Sequence, residues 1–310
     1  GANRVYTSWE GGANFNTSPT VKATFKEYIS LMVNHVNQYT NVPNRINPTI
    51  LAWETGNEMR TAPCEWTREI SAYIKSIDPN HLVLDGNDFF KDSPVNCSDL
   101  NYLDIATVDI FQTHHYGGNY GNISPHVGLA ASHNKAFIEG EHGLVDSSSI
   151  AAIQGLYSLA ETNTNFAGTL FWQLFGHADH HGYLQAGSAS WNGHYPGDNA
   201  DMKTKMTLAR NHAYKMRGLT APAPSSPGAP FLHTISGSQV FWRGAVGAAG
   251  YSIERSQNNS TWSIIGEVAS DNQLPFTANS APSGQSFYRV RGKNVNGLFG
   301  PYSNIQSTTR

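Results

Sequence analysis

Long apolar runs, charged residues and basic clusters are all scarce in this chain of 310 residues. It contains no run of about 18 apolar residues, so we expect no membrane span. Charged residues make up only 14% of the chain and the formal net charge is −3. We therefore expect neither a nucleic-acid partner nor a membrane partner, because the chain has no basic stripe and no polybasic patch. A neutral polymer or a small molecule suits this composition better.

Cysteine is equally scarce, with only Cys64 and Cys97. Both are expected in loops that follow strands, hence on one face of the fold, so a disulfide is the favoured expectation and two free thiols are the alternative. The first residues lack the charged-then-apolar pattern of an export signal, so secretion would require a signal upstream. A secreted glycoprotein is nevertheless expected. Acceptor sequons stand at Asn16, Asn96, Asn122, Asn258 and Asn259.

The first 218 residues alternate helical periodicity with apolar runs, and residues 1–17 are expected to form a loop. Helices are predicted at 18–38, 65–76, 148–161 and 201–217, the first of them capped by Ser18 with Pro19 at its first position. Buried parallel strands are predicted at 49–58, 81–86, 104–116, 135–143 and 166–174. This α/β pattern is typical of a (β/α)8 barrel, which needs about 250 residues. Only five strands can be counted, so three are missing from the start.

The composition changes at Leu219, where a Pro/Ala/Ser-rich linker covers 219–229. Beyond it, residues 230–310 hold short alternating runs separated by Gly, Asn, Ser and Pro turns at intervals of roughly ten residues. This pattern predicts a small antiparallel β-sandwich. The expected domains are therefore a barrel domain at 1–218 and a sandwich at 230–310.

Polar residues gather where the predicted strands end. In a parallel barrel these ends lie on one face, so their side chains are expected to form one site. They are Asn57, Glu58, Asp85 to Asp88, His114 to Tyr116, Glu141, His142, Trp172 and Gln173. Two glutamates on different strands are what glycoside cleavage needs, since one carboxylic acid protonates the leaving oxygen while the other carboxylate attacks or activates water. The alternative is that both glutamates only cap strands or pair with basic residues.

Four segments resemble, in order, the strand-end motifs of glycoside hydrolase family 5, in its β-mannanase-like subgroup. They are AWETGNEM (52–59), THHYGG (113–118), FIEGEHG (137–143) and TLFWQL (169–174). The resemblance covers about 1–218 and begins after the family's third strand. It implies a retaining enzyme, without cofactor, that cleaves β-1,4-mannosidic bonds in mannan. Alternatives are a β-glucanase, an exo-β-mannosidase, and a non-catalytic carbohydrate-binding or assembly component.

The resemblance also implies roles for individual residues. Glu58 becomes the general acid/base and Glu141 the nucleophile, in preference to Glu139, because Glu141 directly precedes His142 and Gly143. The family also has an arginine near the end of its second strand. The residues that match it precede Gly1, so an upstream chain could supply them with the missing strands.

Six further residues are expected to contact the sugar. Asn57 matches the ligand of the 2-hydroxyl group, and Tyr116 the hydrogen-bond partner of the nucleophile, in a His-x-Tyr pair with His114. His142 stands where Phe or Tyr is commoner in the family. Trp172 matches the aromatic floor of the site, and Trp9 is a candidate cleft aromatic.

The remaining signals are weaker. His177, Asp179, His180 and His181 have a spacing that suits a metal, but loop histidines in a sugar-binding cleft are favoured and no metal is assigned. Candidates for outer sugar subsites are Tyr183, Trp191, His194 and Tyr195. The sandwich resembles a fibronectin type III domain, with Trp242 in the core and Tyr288 as the corner tyrosine; a glycan contact at Trp262 is less favoured.

Overall fold

The computed structural model describes residues 3–60, 62–88, 96–144, 149–173, 177–178, 182–183, 200–268 and 275–309. The chain forms two compact units. The first comprises Gly1–His115, Tyr120–His142 and Thr162–Leu170, and the second comprises Tyr116–Asn119, Gly143–Glu161 and Phe171–Arg310. The expected division into domains at 1–218 and 230–310 stays a prediction.

A five-stranded sheet forms the centre of the first unit. Its strands are β1 (Ala52–Glu54), β2 (Leu82–Leu84), β3 (Ile110–His115), β4 (Ala136–Gly143) and β5 (Phe166–Trp172), side by side in chain order. β1 to β4 pair in parallel, with Trp53 opposite Val83 and Phe111 opposite Phe137. Neighbouring strands that follow one another in parallel are the arrangement of part of a (β/α)8 barrel, as the sequence predicted.

Two of the predicted strands are much shorter than expected. The run at 49–58 forms a strand only over β1, because the chain turns after it and Glu58 has a positive φ of 51°. The strand predicted at 104–116 begins only at Ile110, because Tyr102–Asp104 form a 3-10 turn capped by the Asn101 side chain. Apolar side chains in such turns are buried as deeply as those of strands, so hydrophobicity did not distinguish the two.

Six helices are described: α1 (Asn3–Trp9), α2 (Pro19–Asn34), α3 (Cys64–Ile77), α4 (Ile123–Ser132), α5 (Ile150–Thr162) and α6 (Ala200–Lys215). At α2 the Ser18 hydroxyl accepts a hydrogen bond from the Val21 amide, the predicted cap. The expected loop at 1–17 is wrong for α1, where Tyr6 packs on Phe15 and Phe25 with ring centroids 5.7 and 5.6 Å apart. Tertiary packing thus stabilises a helix that has few local signals.

α2 and α3 cover one side of this sheet. Trp66, Ile70 and Ile74 of α3 join Val21 and Val33 of α2 in one buried apolar cluster. Burying each such side chain contributes about 1.5–3 kcal/mol. The helical periodicity of 65–76 therefore identified the face that packs.

The predicted disulfide is present. Cys64 and Cys97 are bonded, with their Cα atoms 5.0 Å apart. The expected loop position of Cys64 is wrong, because Cys64 is the first residue of α3 and follows Pro63. The bond closes a loop with a sequence separation of 33, which disfavours the unfolded chain by about 3–4 kcal/mol. That loop contains Asp85 and Asp88, which belong to the site described below.

The second unit contains α5, α6 and the small all-β region. The ring of Tyr157 on α5 stacks on His212 of α6 at 4.2 Å. The remaining strands are β6 (His177–Ala178), β7 (Gly182–Tyr183), β8 (Phe231–Leu232), β9 (Gln239–Val240), β10 (Trp242–Arg243), β11 (Gly250–Ser256), β12 (Ser263–Val268), β13 (Phe276–Thr277), β14 (Gln285–Lys293), β15 (Phe299–Tyr302) and β16 (Gln306–Thr309). β11 pairs antiparallel with β12 and β14, and Trp242 lies in the core, as predicted. Tyr288 is buried in the same core, but its hydroxyl has no hydrogen-bond partner among the described residues, so the hydrogen bond expected of a corner tyrosine is not seen.

Within the described residues, no helix combines the length and the apolar character that crossing a bilayer requires.

Candidate active site

The loop after β1 holds Glu58 in an unusual backbone conformation. Its φ of 51° lies in the left-handed region, which costs about 1–2 kcal/mol for a residue other than glycine. Three hydrogen bonds tie this loop to the end of β2 and the segment after it. The Thr55 amide donates to the Leu84 carbonyl (3.1 Å), the Gly86 amide to Thr55 Oγ1 (2.9 Å), and the Met59 amide to the Gly86 carbonyl (2.9 Å). These bonds fix the loop backbone from which the Glu58 side chain projects.

Gly86 allows the two loops to approach so closely. A Cβ atom there would overlap the backbone of Gly56. We predict that Gly86→Ala separates the loops, lowers stability by about 1–3 kcal/mol and reduces hydrolysis by displacing Glu58. Thermal unfolding and a hydrolysis assay test this prediction. Gly128→Ala is the matched control, since a Cβ there meets nothing within 4 Å; equal effects of the two substitutions would contradict the prediction.

β3 and β4 bring His114 beside Glu141. The register between them is irregular, with Thr113 opposite Glu139 and His114 opposite Glu141, so that Gly140 is an extra residue in β4. A side chain at Gly140 would overlap that of Gln112. A residue without a Cβ thus permits this bulge.

The bulge gives the two glutamates of β4 different surroundings. Glu139 is fully buried and accepts hydrogen bonds from Thr113 Oγ1 (2.6 Å) and the His115 amide (2.7 Å). Desolvation by burial raises the pKa of Glu139, against the lowering effect of these bonds and of the His115 side chain. Glu141 instead lies with its Oε2 atom 3.7 Å from His114 Nδ1. Glu139 therefore serves the structure, and Glu141 faces the candidate site.

One histidine nitrogen lies close to both candidate catalytic carboxylates. His114 Nδ1 is 3.2 Å from Glu58 Oε1 and 3.7 Å from Glu141 Oε2, so those two oxygens lie no more than 6.9 Å apart, the sum of the distances. The His114 side chain is 2% exposed, Glu141 14% and Glu58 36%. Retaining glycosidases hold their carboxyl groups about 5–5.5 Å apart and inverting ones about 6.5–9.5 Å. The bound admits the first arrangement and only the shortest separations of the second.

Arg60 supplies a positive charge that the sequence did not nominate. Its Nε donates to both oxygens of Asp88 (3.0 and 2.9 Å), and its terminal nitrogen lies 2.7 Å from Asp88 and 3.4 Å from Glu58 Oε1. Asp88 was nominated as part of Asp85 to Asp88. Arg60 was missed because it stands in a turn, where a basic residue usually only meets solvent. Glu58, Asp88 and His114 together could also hold a metal ion.

A third carboxylate, that of Glu54, adjoins the pair. Gln112 Nε2 donates to Glu54 Oε1 (2.5 Å) and to the Asp85 carbonyl (2.9 Å), which links β1, β2 and β3. Glu54 keeps contact with solvent, yet desolvation by the surrounding chain raises its pKa. The negative charge of Glu141 adds to the rise, while Gln112 and His114 oppose it. Neither Glu54 nor Gln112 was among the sequence-predicted site residues.

Asp85 lies beneath the site, fully buried. Its Oδ1 atom accepts hydrogen bonds from the Tyr102 hydroxyl (2.9 Å) and Asn87 Nδ2 (3.2 Å), and Oδ2 has no hydrogen-bond partner among the described residues. Burial raises the pKa of Asp85 to about 7, despite these hydrogen bonds. The strand end that the sequence nominated thus carries a carboxyl group that is half protonated near neutral pH.

Three predicted substrate contacts of the first unit lie in different settings. Asn57 is exposed beside Glu58. His142 is fully buried against the ring of Tyr120 at 6.3 Å, so its imidazole does not meet solvent in this conformation. Trp9 ends α1 as an exposed residue in edge contact with Tyr6. Their roles as sugar contacts stay predictions.

The other predicted contacts belong to the second unit or lie outside the described residues. Tyr116 follows β3 and is half-buried, and Trp172 ends β5 with an exposed ring. His177 and Tyr183 lie on the paired strands β6 and β7. Asp179, His180, His181, Trp191, His194 and Tyr195 lie outside the described residues.

Known proteins are similar to this chain in sequence and in fold. Residues 4–155 match the family described as glycoside hydrolase family 5 β-mannosidase-like. Mannan endo-1,4-β-mannosidase 3 of Arabidopsis thaliana is 36% identical over 118 residues, which are 33% of this chain and 28% of that protein. Probable mannan endo-1,4-β-mannosidase F of Neosartorya fischeri is 27% identical over 202 residues, which are 56% of this chain and 42% of that protein. The chain thus spans less than half the length of these relatives.

Two solved structures are similar as well. The endo-β-1,4-mannanase of Thermotoga petrophila superposes with a TM-score of 0.58 at 22% identity, covering 99% of this chain and 76% of that one. The endo-1,4-β-mannanase of Rhizomucor miehei gives 0.52 at 26% identity, covering 69% and 68%. Residues 4–155 of this chain are therefore similar to the β-mannosidase-like proteins of glycoside hydrolase family 5.

Proposed function

We propose that this chain carries the catalytic residues of a retaining glycoside hydrolase that cleaves β-1,4-mannosidic bonds in mannan. The observation that carries the proposal is the approach of Glu58 and Glu141, from different strands, to a single nitrogen of His114 at 3.2 and 3.7 Å. The relatives named as mannan endo-1,4-β-mannosidases support mannan as the substrate and internal cleavage as the mode of action.

The mechanism assigns one role to each carboxyl group. In the first step a carboxylate oxygen of Glu141 forms a bond to the anomeric carbon as the glycosidic bond breaks, and the Glu58 carboxyl gives its proton to the leaving oxygen. In the second step Glu58, now a carboxylate, takes a proton from water, and the water oxygen displaces Glu141. The sugar leaves with its original anomeric configuration.

The different exposures of the two glutamates fit these roles. Glu58 must reach both a leaving oxygen and a water molecule, and its side chain is 36% exposed. The nucleophile works best shielded from bulk water, and Glu141 is 14% exposed. His114 lies close to both groups and so limits their separation. Arg60 bridges Glu58 to the buried carboxylate of Asp88, which restricts the Glu58 side chain.

We further propose that more barrel strands, supplied by an upstream segment or another chain, pack beside β1. β1 lies at the end of the described sheet. Next to it, an apolar groove of about 200 Å³ is lined by residues that include Phe25, Tyr28, Met32 and Trp53. Leu31 and Met32 of α2 are exposed as well. A strand and helix covering this edge would remove both the groove and the unpaired backbone groups from water.

Two finer assignments complete the proposal. We assign the all-β region the fibronectin type III fold, on the grounds of its short antiparallel strands and its core of Trp242 and Tyr288. We also place the protein outside the cell, because the Cys64–Cys97 disulfide persists in oxidising compartments.

The proposal is tested by incubating the chain with mannan, cellulose and barley-type mixed-linkage glucan and measuring product lengths. We expect reducing ends from mannan, with products of several lengths, and NMR should show the β-anomer first. An α-anomer formed first would exclude retention. Cleavage of glucan but not of mannan would show that the enzyme is a β-glucanase. Release of only single mannose units would indicate exo action. Binding of mannan without any cleavage would favour a non-catalytic carbohydrate-binding component.

A further inference from the structure

The candidate site brings together three potential metal-ligand atoms. The proposed hydrolysis does not require these three atoms to lie close to one another. One carboxylate oxygen each from Glu58 and Asp88 and one ring nitrogen of His114 lie within 4.8 Å of one another. Two carboxylates and one imidazole suit first-row divalent ions such as Zn²⁺ and Cu²⁺, whereas Mg²⁺ and Ca²⁺ prefer oxygen ligands alone. Three protein ligands leave a fourth position for water.

Two of the three side chains are buried and the third is exposed, so the site is preformed and accessible from solvent. Asp88 and His114 are each 2% exposed and held in place by the surrounding chain, while Glu58 is 36% exposed and faces solvent. A tetrahedral ion with bonds of about 2.1 Å holds its ligand atoms about 3.4 Å apart. The three ligand atoms, which lie within 4.8 Å of one another, therefore have to draw together to complete the site.

Arg60 now occupies the place of the cation. Its guanidinium contacts Asp88 at 2.7 Å and Glu58 at 3.4 Å, so it neutralises the two carboxylates that an ion would ligate. The Arg60 side chain is 53% exposed, so its charged end can turn into water when an incoming ion takes over its contact with the buried Asp88 carboxylate. An incoming divalent ion and Arg60 are therefore in competition.

We propose that Glu58, Asp88 and His114 form a binding site for a divalent transition-metal ion that displaces Arg60 and inhibits the enzyme. The ion takes up an oxygen of Glu58 and thereby withdraws it from proton transfer. Metal binding itself does not depend on the proposed function; only the inhibition does.

Calorimetric titration of the full chain with Zn²⁺ near pH 7 tests the proposal, with Mg²⁺ as the comparison ion. We expect Asp88→Asn to weaken zinc binding at least about tenfold, because it removes a charged ligand. Arg60→Gln should tighten binding, because it removes the competing cation. Asp104→Asn is the control, since Asp104 forms an ordinary exposed pair with His133 at 2.7 Å, and it should change nothing. Unchanged binding in Asp88→Asn, or weaker binding in Arg60→Gln, would overturn the proposal.

Two further measurements separate the alternatives. The chain has 13 histidines, so other sites can also take up zinc. The imidazole ¹⁵N resonances should show that a shift of a His114 ring nitrogen accompanies the binding that Asp88→Asn weakens. That shift also tests the site in the unaltered chain, should Asp88→Asn fail to fold. Zinc should inhibit mannan hydrolysis. Zinc bound at His114 without any hydrolysis would refute the proposed function alone, and hydrolysis without this shift would refute the metal site alone.

Discussion

Replacing Glu141 with glutamine should reduce mannan hydrolysis by a factor on the order of 10⁵ while leaving the fold intact. The amide has the size of the carboxylate but no charge, so it cannot form the bond to the anomeric carbon, and removing a nucleophile typically costs about this much. The site tolerates the change, because Glu141 is partly exposed and the amide has nearly the same shape as the carboxylate. Hydrolysis rates and thermal unfolding of purified variants measure the two effects.

Glu139→Gln is the matched comparison, two residues away on β4. The Glu139 carboxylate accepts bonds from Thr113 and His115, so we expect this substitution to lower stability and leave the chemistry in place. Azide provides a second readout. In Glu141→Ala the anion should take the place of the lost carboxylate and give an α-mannosyl azide. Substantial hydrolysis by Glu141→Gln, or loss of hydrolysis only in Glu139→Gln, would move the nucleophile to Glu139.

Glu58 should show a different signature, because it acts as an acid first and as a base second. Glu58→Gln should slow mannan hydrolysis by about 10²–10⁴, the usual value of a general acid. An aryl mannoside with a good leaving group does not need the proton, so it should still form the glycosyl intermediate and release a burst of phenol. The same loss on both substrates would contradict the acid role.

The candidate catalytic pair could be predicted from sequence because each glutamate ends an apolar run, and the ends of parallel strands meet at one face. Its surroundings could not. Gln112 meets Glu54 across 58 residues of chain, a contact that depends on strand register. The different surroundings of Glu139 and Glu141 depend on one extra residue in β4 that the sequence did not predict. Only the family resemblance favoured Glu141 over Glu139.

The sequence was also least informative where contacts between distant segments determine the local structure. α1 has seven residues and forms against the aromatic side chains of Phe15 and Phe25. From sequence, Arg60 is expected to be a solvated turn residue, and only the structure shows that it pairs with Asp88. Both depend on contacts between segments that are not adjacent in sequence, and hydrophobic periodicity carries no information about them.

Asp85 leads to the second large prediction, a loss of stability as the pH rises. In the folded protein its pKa is about 7, against an ordinary value of 3.8. The folded state therefore holds a proton that the unfolded state has released between these pH values. This contribution to stability is present in full below the unfolded pKa and is lost as the pH rises through about 7. At pH 9 the folded protein must bury a charged carboxylate. The difference of about three pKa units between the folded and unfolded states corresponds to a loss of about 4 kcal/mol in the free energy of unfolding.

Asp85→Asn should abolish this dependence, because its amide oxygen still accepts a hydrogen bond from Tyr102 but carries no charge. In urea unfolding, the variant should gain up to about 4 kcal/mol over the unaltered chain at pH 9 and little at pH 4. Asp78→Asn should behave in the opposite way. Although burial opposes it, hydrogen bonds from Trp53 (2.6 Å) and His81 (2.7 Å) lower the pKa of Asp78. Asp78→Asn should therefore cost stability at neutral pH and less in acid. If the difference in unfolding free energy between Asp85→Asn and the unaltered chain does not change with pH, Asp85 is not protonated in the folded state.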